Sequence, residues 1–198
     1  VGQADASIFN PARASAQRQL QVCQQCHLQA DATVLQPGYR WDRYDPSVPL
    51  DRYLSVYRKA TSGAQAFTVA SHGRRLARSR CATQSGGKLR CTSCHNPHQA
   101  SNEASYRAAC ARCHSSGAYP EPASATVACH QCHMRRSGTS DVPHVEFTDH
   151  WIRKRPEVPE RRPPARTTRL VDVVAGAATD RPLRRGLAHA HLWSREGQ

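Results

Sequence analysis

At 198 residues, with a formal net charge of +13 and a pI near 9.9, the chain has room for one domain or two small ones. Hydrophobic residues make up only 38%, with three Phe and one Met, and mean hydropathy is −0.69, a thin supply for an ordinary core of this size. No stretch approaches the length of a transmembrane helix, and although the charge suits an anionic membrane, an acidic partner or nucleic acid, no nucleic-acid motif appears and aromatics are just 6%.

In chain order, Asn10-Pro11 reads as a helix N-cap followed by proline at the first helical position. The helix is expected to run through Leu20 and Val22 into residues 23–27. Residues 31–49 are rich in turn formers. Leu50, Tyr53, Leu54 and Tyr57 fall at i, i+3, i+4 and i+7, which predicts a short amphipathic helix. Residues 66–80 read as helical and carry His72. Between 71 and 95 lie six basic residues and no acid, either a cradle for anions or a solvated face. Gly86-Gly87 is expected to break the chain, and Asn102 or Ser101 to cap a helix beginning near 103. A Gly/Pro loop over 115–122 leads to a short helix near 129. Residues 153–186 hold ten Arg/Lys against four acids, with five prolines. This predicts extended, polyproline-like wrapping, interrupted by a brief apolar strand or helical turn at 170–174.

One five-residue pattern recurs on this framework. CQQCH (Cys23, Cys26, His27), CTSCH (Cys91, Cys94, His95), CARCH (Cys110, Cys113, His114) and CHQCH (Cys129, Cys132, His133) use eight of the nine cysteines. C-x-x-C-H is the attachment signature of c-type haem: two thiols bond the vinyl groups, and the adjacent histidine becomes the proximal iron ligand. The last three copies start at 91, 110 and 129, a constant step of 19 residues. That is too short for a separate domain around each haem, so neighbouring haems are expected to share walls. Structural zinc pairs two C-x-x-C units or adds a distant H-x(3–5)-H, and does not require a histidine at the same offset in every unit. A disulfide framework is disfavoured by the odd cysteine count. Four haems would fill the apolar deficit, and the chain is then not expected to fold stably without them.

The order CQQCHLQA, SRCATQSGGKLRCTSCHNPH, CARCH, CHQCHMRR, DVPHVEFTDHWI resembles multihaem c-type cytochromes. It is similar in particular to the cytochrome module that often precedes tetratricopeptide repeats in bacterial proteins. The resemblance covers about residues 8–165, with CTSCHNPH and DVPHVEFTDHWI its most specific parts. It implies electron transfer with no named reaction. Further haem motifs usually lie upstream in that family and helical repeats downstream, so the chain reads as a fragment, a processed product or a stand-alone version. It starts at Val1 with no signal-peptide pattern, which suggests the trimmed product of an exported precursor, periplasmic or extracellular. The expected fold is mainly α with much irregular structure, packed by haem, with little or no sheet. Residues 1–152 would form the tetrahaem core, and 153–198 an Arg/Pro-rich extension wrapping the core or a neighbouring subunit.

Eleven histidines are present. Beyond the four in the motifs, bis-histidine ligation needs four more. His98 follows proximal His95 across a stiffening Pro97 and is expected to serve a neighbouring haem, a role the resemblance also implies. His144 and His150 match the D-V-x-H…D-H segment, and His72 is the fourth choice. His130 sits inside its own haem loop, where a structural role is expected. His189 and His191 read as tail residues that could reach a haem of a neighbouring subunit. Met134 follows a proximal histidine and cannot reach the same iron; without methionine ligation the haems are expected to have low potentials. Cys81 reads as a small buried hydrophobe or an intermolecular link.

Three functions follow. The first is an electron carrier for redox partner proteins, including a version in which the chain self-associates into a filament that extends the haem wire. The second is a haem enzyme acting on a small nitrogen or sulfur compound at one open iron, with a base or cation nearby. The third is an electron-transfer subunit of a larger redox complex.

Overall fold

The computed structural model describes residues 5, 8–60, 67–114, 128–139, 141–155, 169–174 and 181–196. A 3-10 helix, Pro11–Arg13, is capped by Asn10, whose Oδ1 accepts from the Ala12 amide. The chain then restarts as α1 (Ala16–Gln24), with Ser15 Oγ accepting from the Arg18 amide. The continuous helix expected from Asn10 is therefore two, because Ser15 supplies a second N-cap. β1 (Ala32–Leu35) follows, then α2 (Leu50–Tyr53) running directly into β2 (Leu54–Lys59). Next come α3 (His72–Leu76), α4 (Arg80–Gln84), α5 (Cys91–Cys94) and α6 (Glu103–Ala111). α7 (Cys129–His133) leads to β3 (Arg136–Gly138) and β4 (Glu146–Thr148). β5 (Leu170–Asp172) and α8 (Pro182–Glu196) complete the described elements.

The fold is mixed α/β, which corrects the expectation of a mainly α chain with little or no sheet. One sheet has the order β1-β2-β5, antiparallel throughout, with Ala32 opposite Tyr57, Leu35 opposite Leu54, and Tyr57 opposite Asp172. A second, two-stranded sheet pairs β3 with β4, Arg136 opposite Thr148. The expected helix over 50–57 ends at Tyr53, and its second half is the central strand. Leu54 and Val56 face one apolar cluster with Leu50 and Tyr53, while Tyr57 faces another with Ala32, Val34, Leu170, Ala188 and Leu192. Burial on both faces erases the polar alternation that marks a half-exposed strand.

Two elements of 153–198 pack on this sheet: β5 forms its third strand, and α8 lies across β1 and β2. Arg184 of α8 is buried and donates to Ser55 Oγ at 2.8 Å. The expected polyproline-like wrapping falls largely on 156–168 and 175–180, and the expected Gly/Pro loop on 115–122; both lie outside the described residues.

The helix expected over 66–80 is also interrupted. α3 and α4 are separated at Ser79, whose buried hydroxyl accepts from the Ile152 amide at 2.8 Å and donates to the His150 carbonyl at 3.4 Å. Gly86 and Gly87 both have positive φ, 59° and 79°, and end the chain direction of α4. Asn102 closes a capping box with Ser105 at the start of α6.

Candidate functional site

Each C-x-x-C-H copy sits at a helix end or forms a short helix. Cys23 lies in the last turn of α1, α5 spans Cys91 and Cys94, α6 carries Cys110, and α7 spans 129–133. A helical turn between the two cysteines brings both thiols to one side, with the histidine just beyond. These helices touch in series: α1 packs on α5, α5 on α6, and α6 on α7. The four motifs are therefore neighbours in the order in which they occur in the chain.

Four imidazoles from distant segments converge beside this series. His27 and His72 have ring centroids 5.4 Å apart, His72 and His150 4.4 Å, and His95 and His150 6.1 Å at an interplanar angle of 28°. Tyr106 continues the series, 5.6 Å from His95 on one side and 5.6 Å from His130 on the other. Burial lowers the pKa of His72, of His95 and of His150, the last to about 4, with neighbouring imidazoles adding to each shift. All three are neutral at pH 7, the form that ligates a metal.

Hydrogen bonds fix two of the rings. His150 Nδ1 lies 3.1 Å from the Thr148 carbonyl, and His133 Nδ1 lies 2.9 Å from the Arg153 carbonyl. A carbonyl only accepts, so Nδ1 carries the proton and Nε2 keeps its lone pair for a ligand. His72 Nδ1 is buried without a hydrogen-bond partner, a deficit of about 1–3 kcal/mol that a ligand would relieve.

The segment bearing His150 is held by an ion pair. Arg75 donates from Nε to Asp149 Oδ1 at 2.7 Å and from its second nitrogen to Oδ2, with both side chains 4% exposed. Asp149 also accepts from the Trp151 amide at 2.9 Å. Three guanidinium groups lie over Trp151: Arg78 at 4.0 Å, Arg153 at 4.4 Å and Arg75 at 5.1 Å. On the other side, the hairpin of β3 and β4 fixes the same segment, as the Asp149 amide donates to the Arg135 carbonyl at 2.7 Å.

Thiols from different motifs also meet. Cys23 and Cys91 hydrogen-bond one another, which pulls Cys23 down to about 7 and pushes Cys91 up, so Cys23 ionises first. Burial pushes Cys110 up, helped by neighbouring Cys129. Cys94 and the ninth thiol, half-buried Cys81, are each raised by burial, and each feels the other or Cys113 nearby. None of the cysteines is in a disulfide. Among the described residues no three His, Cys, Asp or Glu side chains converge as a chelate for a bare metal ion. Beside Cys91 a cavity of about 280 Å³ opens between α1, α3 and α4, with walls of Ala16, Leu20, Leu76, Ala77, Ala82 and Leu89.

The structure thus brings His27, His95, His72 and His150 together. His114 and His133 are exposed at the ends of α6 and α7. His98 is exposed in the turn after α5, and His144 is exposed with φ 61°; neither joins the imidazole cluster. His189 and His191 are exposed on α8. Sequence reasoning missed Tyr106 and Asp149, counted Arg75 only among six basic residues of an anion cradle or solvated face, and set His130 aside. Tyr106 lies four residues before Cys110, on the same helical face, which was a usable signal. The pairing of Arg75 with Asp149 left none, being 74 residues apart.

Comparison of the chain with protein-family models, with curated proteins and with solved structures finds no match in any of the three. Among the described residues no helix is long and apolar enough to cross a membrane.

Proposed function

We propose that this chain is an electron carrier of the multihaem c-type cytochrome kind, working in the periplasm or outside the cell. The observation that carries the reading is the contact series α1–α5–α6–α7, which lines up four C-x-x-C-H attachment sites as consecutive neighbours. Bound haem supplies one-electron chemistry, and c-type attachment makes it permanent.

The residues fit that group. Cys23 with Cys26, Cys91 with Cys94, Cys110 with Cys113, and Cys129 with Cys132 provide the thioether pairs. His27, His95, His114 and His133 are the proximal ligands. His72, His98, His144 and His150 are the candidates for the opposite positions. The unpartnered Nδ1 of His72, the Nδ1–carbonyl bonds of His133 and His150, and the neutral state of three imidazoles all suit metal ligation. The apolar cavity beside Cys91 suits a flat hydrophobic macrocycle. Arg74 on α3, set among Arg58, Arg75 and Arg78, suits a propionate.

Were histidines to hold the haems, with no methionine ligand, the potentials would be low. The partners in this reading are redox proteins or further copies of the chain, met through a basic surface. Coulometric titration of the purified protein tests it. Reversible uptake of four electrons per chain at low potential is expected; uptake of none would overturn the reading.

A further inference from the structure

The four clustered imidazoles comprise two motif histidines, His27 and His95, and two from elsewhere, His72 and His150. That is a complete axial set for two irons. Resting on the electron-carrier reading, we infer that His72 is the second axial ligand of the haem attached at Cys23 and Cys26, and that His150 is the second axial ligand of the haem attached at Cys91 and Cys94.

Distances decide the pairing. Two imidazoles on opposite sides of one metal have ring centroids roughly 6 Å apart, each metal–nitrogen bond being about 2 Å. His95 and His150 stand at 6.1 Å, and His27 and His72 at 5.4 Å, so each pair needs little or no separation to admit an iron. The closest pair, His72 and His150 at 4.4 Å, leaves no room for a metal between its rings. It also lacks a motif histidine, so it is a contact between two neighbouring sites. The crossed pairs, His27 with His150 and His95 with His72, are not in ring contact among the described residues.

The supporting structure fixes both rings in place. His72 starts α3, which closes on α1 where a Cβ on Gly73 would stand 2.5 Å from Leu20 Cδ1. That approach holds His72 beside the end of α1, where His27 follows. His150 is anchored to that same His72 segment, at Ser79 and, through Asp149, at Arg75. Its Nδ1 is engaged by Thr148, so Nε2 is the nitrogen that remains for a ligand. The clamp gives the two rings fixed neighbours rather than a choice of partners. The two haem sites share a wall made of His72 and His150.

The test uses the haem-loaded protein and counts perturbed irons. Intact mass counts attached haems, and carbon monoxide bound per chain after reduction counts irons that have lost an axial ligand. His72→Ala and His150→Ala should each keep four haems and bind one carbon monoxide. In H27A/H72A only one haem should be perturbed, whether by opening or by failing to attach, because both ligands belong to one iron. H95A/H150A should behave alike, whereas H27A/H150A should perturb two. Two perturbed haems in H27A/H72A or in H95A/H150A would overturn the pairing. A parent chain whose mass contains no haem would overturn the electron-carrier reading instead.

Discussion

Arg75 and Asp149, 74 residues apart, share a two-point buried hydrogen-bonded ion pair. Arg75 lies one helical turn after His72, and Asp149 immediately precedes His150. The pair therefore couples the two histidine-bearing segments that no motif connects. A buried charge deprived of its partner is far more costly than the absent pair itself.

Asp149→Asn should therefore destabilise the haem-loaded protein by about 3–5 kcal/mol. Arg75→Met combined with Asp149→Leu should recover most of that loss. Denaturant midpoints of the two variants check this, and equal losses in both would contradict the clamp.

α8 stabilises the larger sheet through Ala188 and Leu192, which pack on Ala32, Val34 and Tyr57. Leu192→Ala should cost about 2–4 kcal/mol, the usual range for a buried leucine. Trp193→Ala, on the exposed side of the same helix, should change stability by less than about 0.5 kcal/mol. Thermal unfolding of the two variants separates these outcomes.

The acid limit follows from His150. Its folded pKa is lowered to about 4, against an unfolded value of about 6.5. A histidine with a depressed folded pKa contributes stability that is fully present above the unfolded value and is withdrawn as pH falls toward the folded one. Only the neutral ring ligates. Bound iron would hold the ring neutral to still lower pH, so the low-spin optical spectrum should persist at pH 5. Loss of that spectrum between pH 6 and 7 would contradict a buried neutral ligand.

Cys81 belongs to none of the four attachment pairs, and burial raises its pKa. Cys81→Ala should leave haem content unchanged. The denatured parent protein should take up a single alkyl group from iodoacetamide, at Cys81, because thioether sulfurs do not alkylate under those conditions. Nine alkylations would mean that no thiol is used for attachment.

Local signals in the sequence were sufficient for several features. Asn102 begins α6, Gly86-Gly87 turns the chain, and the motifs sit at helix ends, since caps and glycines act within a few residues. β2 was hidden by coincidence: Leu50, Tyr53, Leu54 and Tyr57 match helical spacing, yet the last two belong to a strand buried on both faces. Its partner β5 falls within the apolar stretch at 170–174, expected as a brief strand or helical turn, but the surrounding arginine- and proline-rich composition gives no sign that it joins a sheet. The imidazole cluster was legible only in part. His72 and His150 stand out as spare histidines, but nothing local indicates that one turn of α3 and the β3–β4 hairpin bring them into contact. His98 and His144 ranked with His150 and ahead of His72 in the sequence, and the structure leaves both exposed.

The proposed electron carrier requires that each of the four C-x-x-C-H units hold a haem. The most direct test is the intact mass of the purified protein, taken with its optical spectrum in both redox states. In that reading, four haems bound per chain and fully low-spin spectra, with sharp reduced bands, are expected. A colourless protein at the mass of the bare chain, or one carrying zinc on free thiols, would contradict it.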